Sequence, residues 1–92
     1  MNIDDLIKND GATLVDVRSV DEFEEGSVAG AINIPLHTIP ARVEEFKAMK
    51  QPIICFCRSG NRSYQAVSWL KQHGIEAVNG GGVDDVMIVA NQ

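Results

Sequence analysis

The chain has 92 residues, 45% apolar and 23% charged, which is enough for one small core of ordinary globular composition. A chain of this length buries roughly 60–70% of its unfolded surface without needing disulfides or a metal. The net charge of −5 argues against nucleic acid as a partner, and no apolar run approaches the ~18 residues of a membrane span. No repeat, linker or low-complexity stretch divides the sequence, so residues 1–92 read as a single domain.

The first segment, Asn2 to Lys8, reads as a short helix with Asp4 and Asp5 favoured by the dipole in its first turn. It carries none of the basic and apolar regions of a signal peptide, so the expected location is cytoplasmic; a chain already relieved of a leader would read the same. Asn9-Asp10-Gly11 is a stop signal. Thr13-Leu14-Val15-Asp16-Val17 follows as a nearly continuous apolar run, the pattern of a buried parallel strand. It ends in two charged residues, Asp16 and Arg18. Ser19-Val20-Asp21-Glu22 has capping-box spacing and opens a helix to about Glu25, stopped by Gly26.

Ala31 to Ile34 form a second strand, ended by Pro35. Pro40 suits the first turn of the next helix, whose Ile39, Val43 and Phe46 recur at i, i+4 and i+7. Gln51-Pro52 ends that segment, and Ile53-Ile54-Cys55-Phe56 make a third strand. After a loop, a helical pattern opens near Asn61 and runs to His73, with Ala66, Val67 and Leu70 inward and Gly74 at its end. Ile75 to Val78 give a fourth strand, Gly80-Gly81-Gly82 a flexible turn, and Val83 to Val89 a last helix. Tyr64 and Trp69 are expected to pack, and His37 and His73 to lie on the surface. Strands alternating with helices indicate an α/β domain with a mainly parallel sheet of four to five strands and helices on both faces. Ligands in such sheets bind at the C-terminal strand ends, where Asp16, Arg18 and Cys57 all fall.

Cys57-Arg58-Ser59-Gly60-Asn61-Arg62-Ser63 is the stretch that carries chemistry. A strand ending in a thiol, a tight turn of small and basic residues, and a helix N-terminus together place a nucleophile beside an anion site. Two of the chain's eight Lys and Arg residues, Arg58 and Arg62, lie in this stretch. Inward amides, the helix dipole and these cations each favour thiolate, so the Cys57 pKa is expected below the free value. Gly60 can take a positive φ, and Ser63 is within reach of the sulfur or of an incoming anion. Cys55, two residues earlier on the same strand face, reads as a core thiol. The pair has poor geometry for a disulfide, and neither His37 nor His73 stands at a metal-ligand spacing to it.

Four stretches together give the chain a specific resemblance: Leu14 to Arg18; Glu22-Phe23 followed by Gly26 and Gly30 to Pro35; Cys57 to Ser63; and Gly81-Gly82. In this order they resemble a single-domain rhodanese, a thiosulfate sulfurtransferase-like module with a three-layer α/β fold. The resemblance implies that Cys57 takes a sulfane sulfur from a small anionic donor such as thiosulfate, becomes a persulfide, and passes the sulfur to cyanide or to a thiol, including a protein thiol. It further implies that the amides of Arg58, Ser59, Gly60, Asn61 and Arg62 cradle the sulfur, and that Arg58 and Arg62 hold the donor. Asp16 would brace the loop and Arg18 would pair with nearby carboxylates. No metal or organic cofactor is implied.

Related phosphatases of the same fold use a cysteine loop one residue longer. At the position of their arginine this chain has Ser63, with Arg62 one step early, and the tighter loop suits one sulfur atom better than a phosphate group. The chain also departs from the family pattern. Ser27 and Ala29 stand in a stretch that is commonly Gly-His-Ile-Pro-Gly-Ala, a change expected to affect packing. Val86 replaces an aromatic residue, which is expected to leave the pocket rim more open. The alternative to an enzyme is a non-turnover sulfur carrier or regulatory binding module on the same fold.

Overall fold

The computed structural model describes residues 2–92. Four strands, β1 (Thr13–Asp16), β2 (Ile32–Asn33), β3 (Ile53–Cys57) and β4 (Ala77–Gly82), form one all-parallel sheet in the order β2-β1-β3-β4. Five α-helices connect and cover them: α1 (Ile3–Lys8), α2 (Val20–Glu25), α3 (Val43–Ala48), α4 (Asn61–Gln72) and α5 (Val83–Ala90). A 3-10 segment, Leu36–Arg42, precedes α3.

Strand alternation divides the core into two layers. Val15, Val17, Ile53, Cys55, Cys57 and Ala77 point to one face and pack with Phe46 of α3 and Ala66, Val67 and Leu70 of α4. Phe56 and Leu14 point to the other, where Val86 and Met87 of α5 and Ile7 of α1 cover them. Helices on both faces explain why all five β3 residues are buried.

Local sequence signals account for most element boundaries. The capping box at Ser19 is formed: its Oγ accepts from the Glu22 N–H at 3.2 Å, and Glu22 Oε1 accepts from the Ser19 N–H at 3.1 Å. Asn2 caps α1 by accepting from Asp5 N–H at 2.9 Å. Pro40, however, lies inside the 3-10 segment, and the α-helix begins only at Val43. Proline has no N–H to give to an α-helical ladder and disfavours α geometry at the residue before it, so the tighter turn persists until the chain has passed it.

The glycine run departs further from the sequence reading. Gly80, Gly81 and Gly82 are not a turn between β4 and α5; they are the second half of β4. Asn79 lies opposite Cys55, but Gly81 lies opposite Phe56 and Gly82 opposite Cys57, so Gly80 is the extra residue of a bulge. The missing side chains matter sterically. A Cβ on Gly82 would stand 2.6 Å from the Arg58 carbonyl oxygen, a backbone atom of the loop that follows β3. Close approach between β4 and that loop therefore requires glycine.

Replacing Gly82 by alanine is expected to push the Arg58 peptide away and to destabilise the fold by roughly 1–3 kcal/mol, the range for overpacking a filled site. Denaturant unfolding of Gly82→Ala against the parent checks this.

Candidate functional site

The site begins where β3 runs out. Cys57 is its last residue and is only 1% exposed, yet its Sγ meets the start of α4 instead of more core. The Gly60 N–H donates to Sγ at 3.0 Å, and Ser63 Oγ lies 3.4 Å from it. Gly60 is the N-cap of α4 and takes φ 98°, the left-handed conformation that lets residues 58–60 turn back over the sulfur. α4 has 12 residues, so its unpaired first-turn amides and dipole face this turn.

The two cysteines differ by surroundings alone. Burial pushes the Cys55 thiol up to about 12, with no donor to offset it. Burial also acts upward on Cys57, but the Ser63 hydroxyl, able to donate to the sulfur once it is ionised, and the Ser63, Gly60 and Ser59 amides together outweigh it. The Cys57 thiol is thereby held below the usual thiol value. Both thiols are free.

The cations of the loop are not equally available. Arg62 makes a two-pronged pair with Glu22 of α2, Nη1 to Oε1 at 2.7 Å and Nη2 to Oε2 at 3.1 Å. Arg58 is exposed and its Nε lies 3.7 Å from the same carboxylate. Glu22 thus serves both the α2 cap and the loop. The Arg62 guanidinium, followed by the Ser19 amide, holds its carboxyl down from 4.5 to about 2.

Asp16 and Arg18 form a separate buried unit at the same sheet edge. Arg18 Nη2 donates to Asp16 Oδ2 at 2.7 Å and its Nε to Oδ1 at 3.0 Å, and the Arg18 N–H also donates to Oδ1. Arg18 Nη2 also donates to the Gly26 carbonyl at 2.8 Å. Ser27 Oγ donates to Asp16 Oδ2 at 2.8 Å, so Ser27 is more than packing: it completes the satisfaction of a buried carboxylate. Val86 is not at a pocket rim. It is 1% exposed and packs in the core with Phe56. A cleft of about 390 Å³ beside the loop is lined instead by Arg18, Glu25, Arg58, Val83, Asp84 and Met87. Tyr64 is 66% exposed and Trp69 stacks on His73 at 3.7 Å between ring centroids.

The structure gathers Cys57, Arg58, Ser59, Gly60, Asn61, Arg62 and Ser63 into one turn, with Asp16 and Arg18 beside it at the strand ends. One residue that the sequence reading passed over belongs to the same constellation. Asn79 of β4 accepts from Ser63 Oγ at 2.7 Å and from the Gly81 N–H at 2.9 Å, and its Nδ2 donates to the Gly60 carbonyl at 3.0 Å. An asparagine before three glycines carries the signature of a turn, and that signature hid it. Among the described residues no group of three His, Cys, Asp or Glu side chains is arranged to hold a metal, and no helix is long and apolar enough to cross a membrane.

Residues 2–88 match the profile of the Rhodanese-like domain. A protein of Allochromatium vinosum named sulfurtransferase is 39% identical over 69 residues, covering 75% of this chain and 64% of that protein. The chain therefore spans under two thirds of that relative's length. A thiosulfate sulfurtransferase of Escherichia coli is 34% identical over 74 residues, 78% of this chain and 71% of that protein. A solved structure described as a rhodanese with anions, also from Escherichia coli, superposes with a TM-score of 0.73 at 32% identity, covering 80% of this chain and 89% of that one.

Because Glu22 has a depressed pKa when folded, its pairing with Arg62 contributes stability above the unfolded value and loses it as pH falls from about 4.5 through about 2. Glu22→Gln is expected to flatten the pH dependence of unfolding in that window, measured by denaturant titration at a series of pH values.

Proposed function

This chain belongs to the rhodanese-like domain family, and on that premise we propose that it is a sulfurtransferase carrying sulfane sulfur as a persulfide on Cys57. The observation that carries this reading is the contact of a strand-end sulfur with the Gly60 amide at 3.0 Å, at the head of a 12-residue helix. Such an environment stabilises negative charge on sulfur through fixed dipoles that need no reorganisation during reaction. Relatives named sulfurtransferase support the class of chemistry.

In the first half-reaction the Cys57 thiolate attacks the outer sulfur of thiosulfate. A new S–S bond forms at Cys57, the bond between the two donor sulfurs breaks, and sulfite leaves with the electron pair. In the second, a thiolate or cyanide attacks the terminal sulfur of the persulfide, and the Cys57 thiolate is the leaving group. Charge and electrons balance without an external oxidant, and no metal or organic cofactor takes part. The Ser59, Gly60 and Ser63 amides, which lower the Cys57 pKa, also suit the persulfide anion.

The donor is held chiefly by the loop amides, including those of Asn61 and Arg62, and by Arg58. Arg58 is the loop cation left exposed, whereas the fork of Arg62 is occupied by Glu22. Arg62 thus shapes the loop and contributes a partly neutralised charge. The Asp16–Arg18 pair, tied to Ser27 and Gly26, fixes the neighbouring strand end. The cleft bordered by Arg58 and Met87 offers the acceptor an approach to the loop.

Incubation with thiosulfate is expected to add one sulfur atom to the intact mass, and Cys57→Ser to abolish the addition. An unmodified mass for the parent protein would remove the persulfide reading. Arg58→Ala is expected to raise the KM for thiosulfate about five- to tenfold with kcat little changed, the loss of ~1 kcal/mol of donor binding. Steady-state kinetics with a thiol acceptor measures it. Loading without turnover to thiol or cyanide would instead favour a sulfur carrier.

A further inference from the structure

Asn79 leaves only one arrangement for the proton of the Ser63 hydroxyl beside Cys57. The Gly60 carbonyl can only accept, so the Asn79 group 3.0 Å from it is the NH2. The Gly81 N–H can only donate, so the Asn79 group 2.9 Å from it is the carbonyl oxygen. Both contacts demand the same orientation of the amide. Ser63 Oγ lies 2.7 Å from that oxygen, and the only hydrogen available to the contact is the serine hydroxyl proton. A hydroxyl has one proton. With it given to Asn79, Ser63 can only accept at the 3.4 Å contact with Cys57 Sγ, and the hydrogen there belongs to the thiol.

We propose that Asn79 is a positioning residue that, by taking the single hydroxyl proton of Ser63, sets whether Ser63 accepts from the Cys57 sulfur or donates to it. In the thiol form the chain of donation runs from Cys57 to Ser63 to Asn79. When the sulfur ionises it has no hydrogen left to give, and the Ser63 hydroxyl must turn away from Asn79 to donate to it. Asn79 therefore opposes ionisation through Ser63. Through the Gly60 carbonyl it also holds in place the peptide unit whose neighbouring N–H faces the sulfur.

Position in the sheet makes this possible. Asn79 is the partner of Cys55 across β3–β4 and so shares the α4-facing side of the sheet with Cys55 and Cys57. It is the last side chain of β4 on that face, because the bulge at Gly80 and the following glycines add none.

The functional meaning of this arrangement rests on the persulfide reading, since the thiolate is the attacking species there. Its test does not. The Cys57 pKa is measured from the thiolate ultraviolet absorbance that Cys57→Ser abolishes, in the parent, Asn79→Leu, Ser63→Ala and the double variant. Other charged groups near the sulfur are common to all four proteins and cancel in the cycle. They are Arg58 and Arg62 of the loop, Glu22 of α2, the Asp16–Arg18 pair of β1, and Asp85 of α5 beside Gly82.

With Ser63 present, Asn79→Leu frees the hydroxyl to donate to the thiolate. The expected coupling is about one pKa unit: Asn79→Leu lowers the Cys57 pKa by that much more in the parent background than in the Ser63→Ala background, as one charge-assisted hydrogen bond would give. Any change routed through Gly60 occurs in both backgrounds and drops out. Equal shifts in the two backgrounds, or a coupling of opposite sign, overturn the proposal. Asn79 is exposed, and if the leucine variant does not fold, Asn79→Ala takes its place in the same cycle. A protein that fails to load sulfur from thiosulfate can still show this coupling, and one that loads can lack it, so the two readings fail separately.

Discussion

Everything at this site depends on how few donors a buried sulfur has. Cys55 and Cys57 lie on the same strand and the same face, and both are essentially excluded from water. The first is an inert thiol pushed up to about 12; the second is held below the usual value. The difference arises because β3 ends at Cys57, so the chain that follows can fold back and point peptide N–H groups at it. Burial without donors disfavours the thiolate, and burial with donors favours it.

That arrangement constrains the rest of the molecule. For the turn after Cys57 to close over the sulfur, Gly60 must adopt a left-handed conformation and the adjacent strand must come close to the Arg58 peptide. The glycines of β4 meet the second requirement. The bulge at Gly80 shifts the register by one, so that Gly82 lies beside Cys57. The late glycine pair and the cysteine loop are thus two halves of one packing solution, although they are separated in sequence by the whole of α4 and the first half of β4.

The α/β class, the strand and helix order, the capping box at Ser19 and the tight turn after Cys57 were all legible, because each is written in local pattern: period, cap spacing, or residue type in a tight turn. What was not legible depended on contact between distant segments. Gly80 to Gly82 resemble a turn until β3 is placed beside them. Ser27 looks like a packing change until its hydroxyl is seen on the Asp16 carboxylate. Glu22 was recognisable as a cap, but its bidentate hold on Arg62 joins residues forty positions apart. The expectation of packing for Tyr64 failed because helical periodicity places it on the outer side of α4, away from Ala66, Val67 and Leu70.

An arginine-rich turn beside a thiol suggests a strongly positive pocket, yet Glu22 binds Arg62 through both oxygens and also lies near Arg58. The field at the sulfur is therefore set more by aligned peptide dipoles than by free cations. Dipoles fixed in a backbone act at short range and are little screened by salt, whereas exposed guanidinium groups act further out and are screened. A site built this way separates two tasks that a cluster of free arginines would merge. On the proposed reading Arg58, at the surface, draws in the anionic donor. The amides, beneath it, hold charge on the sulfur regardless of whether the anion is still there. The proposed persulfide chemistry needs that independence, because the donor remnant leaves while the charged sulfur stays behind.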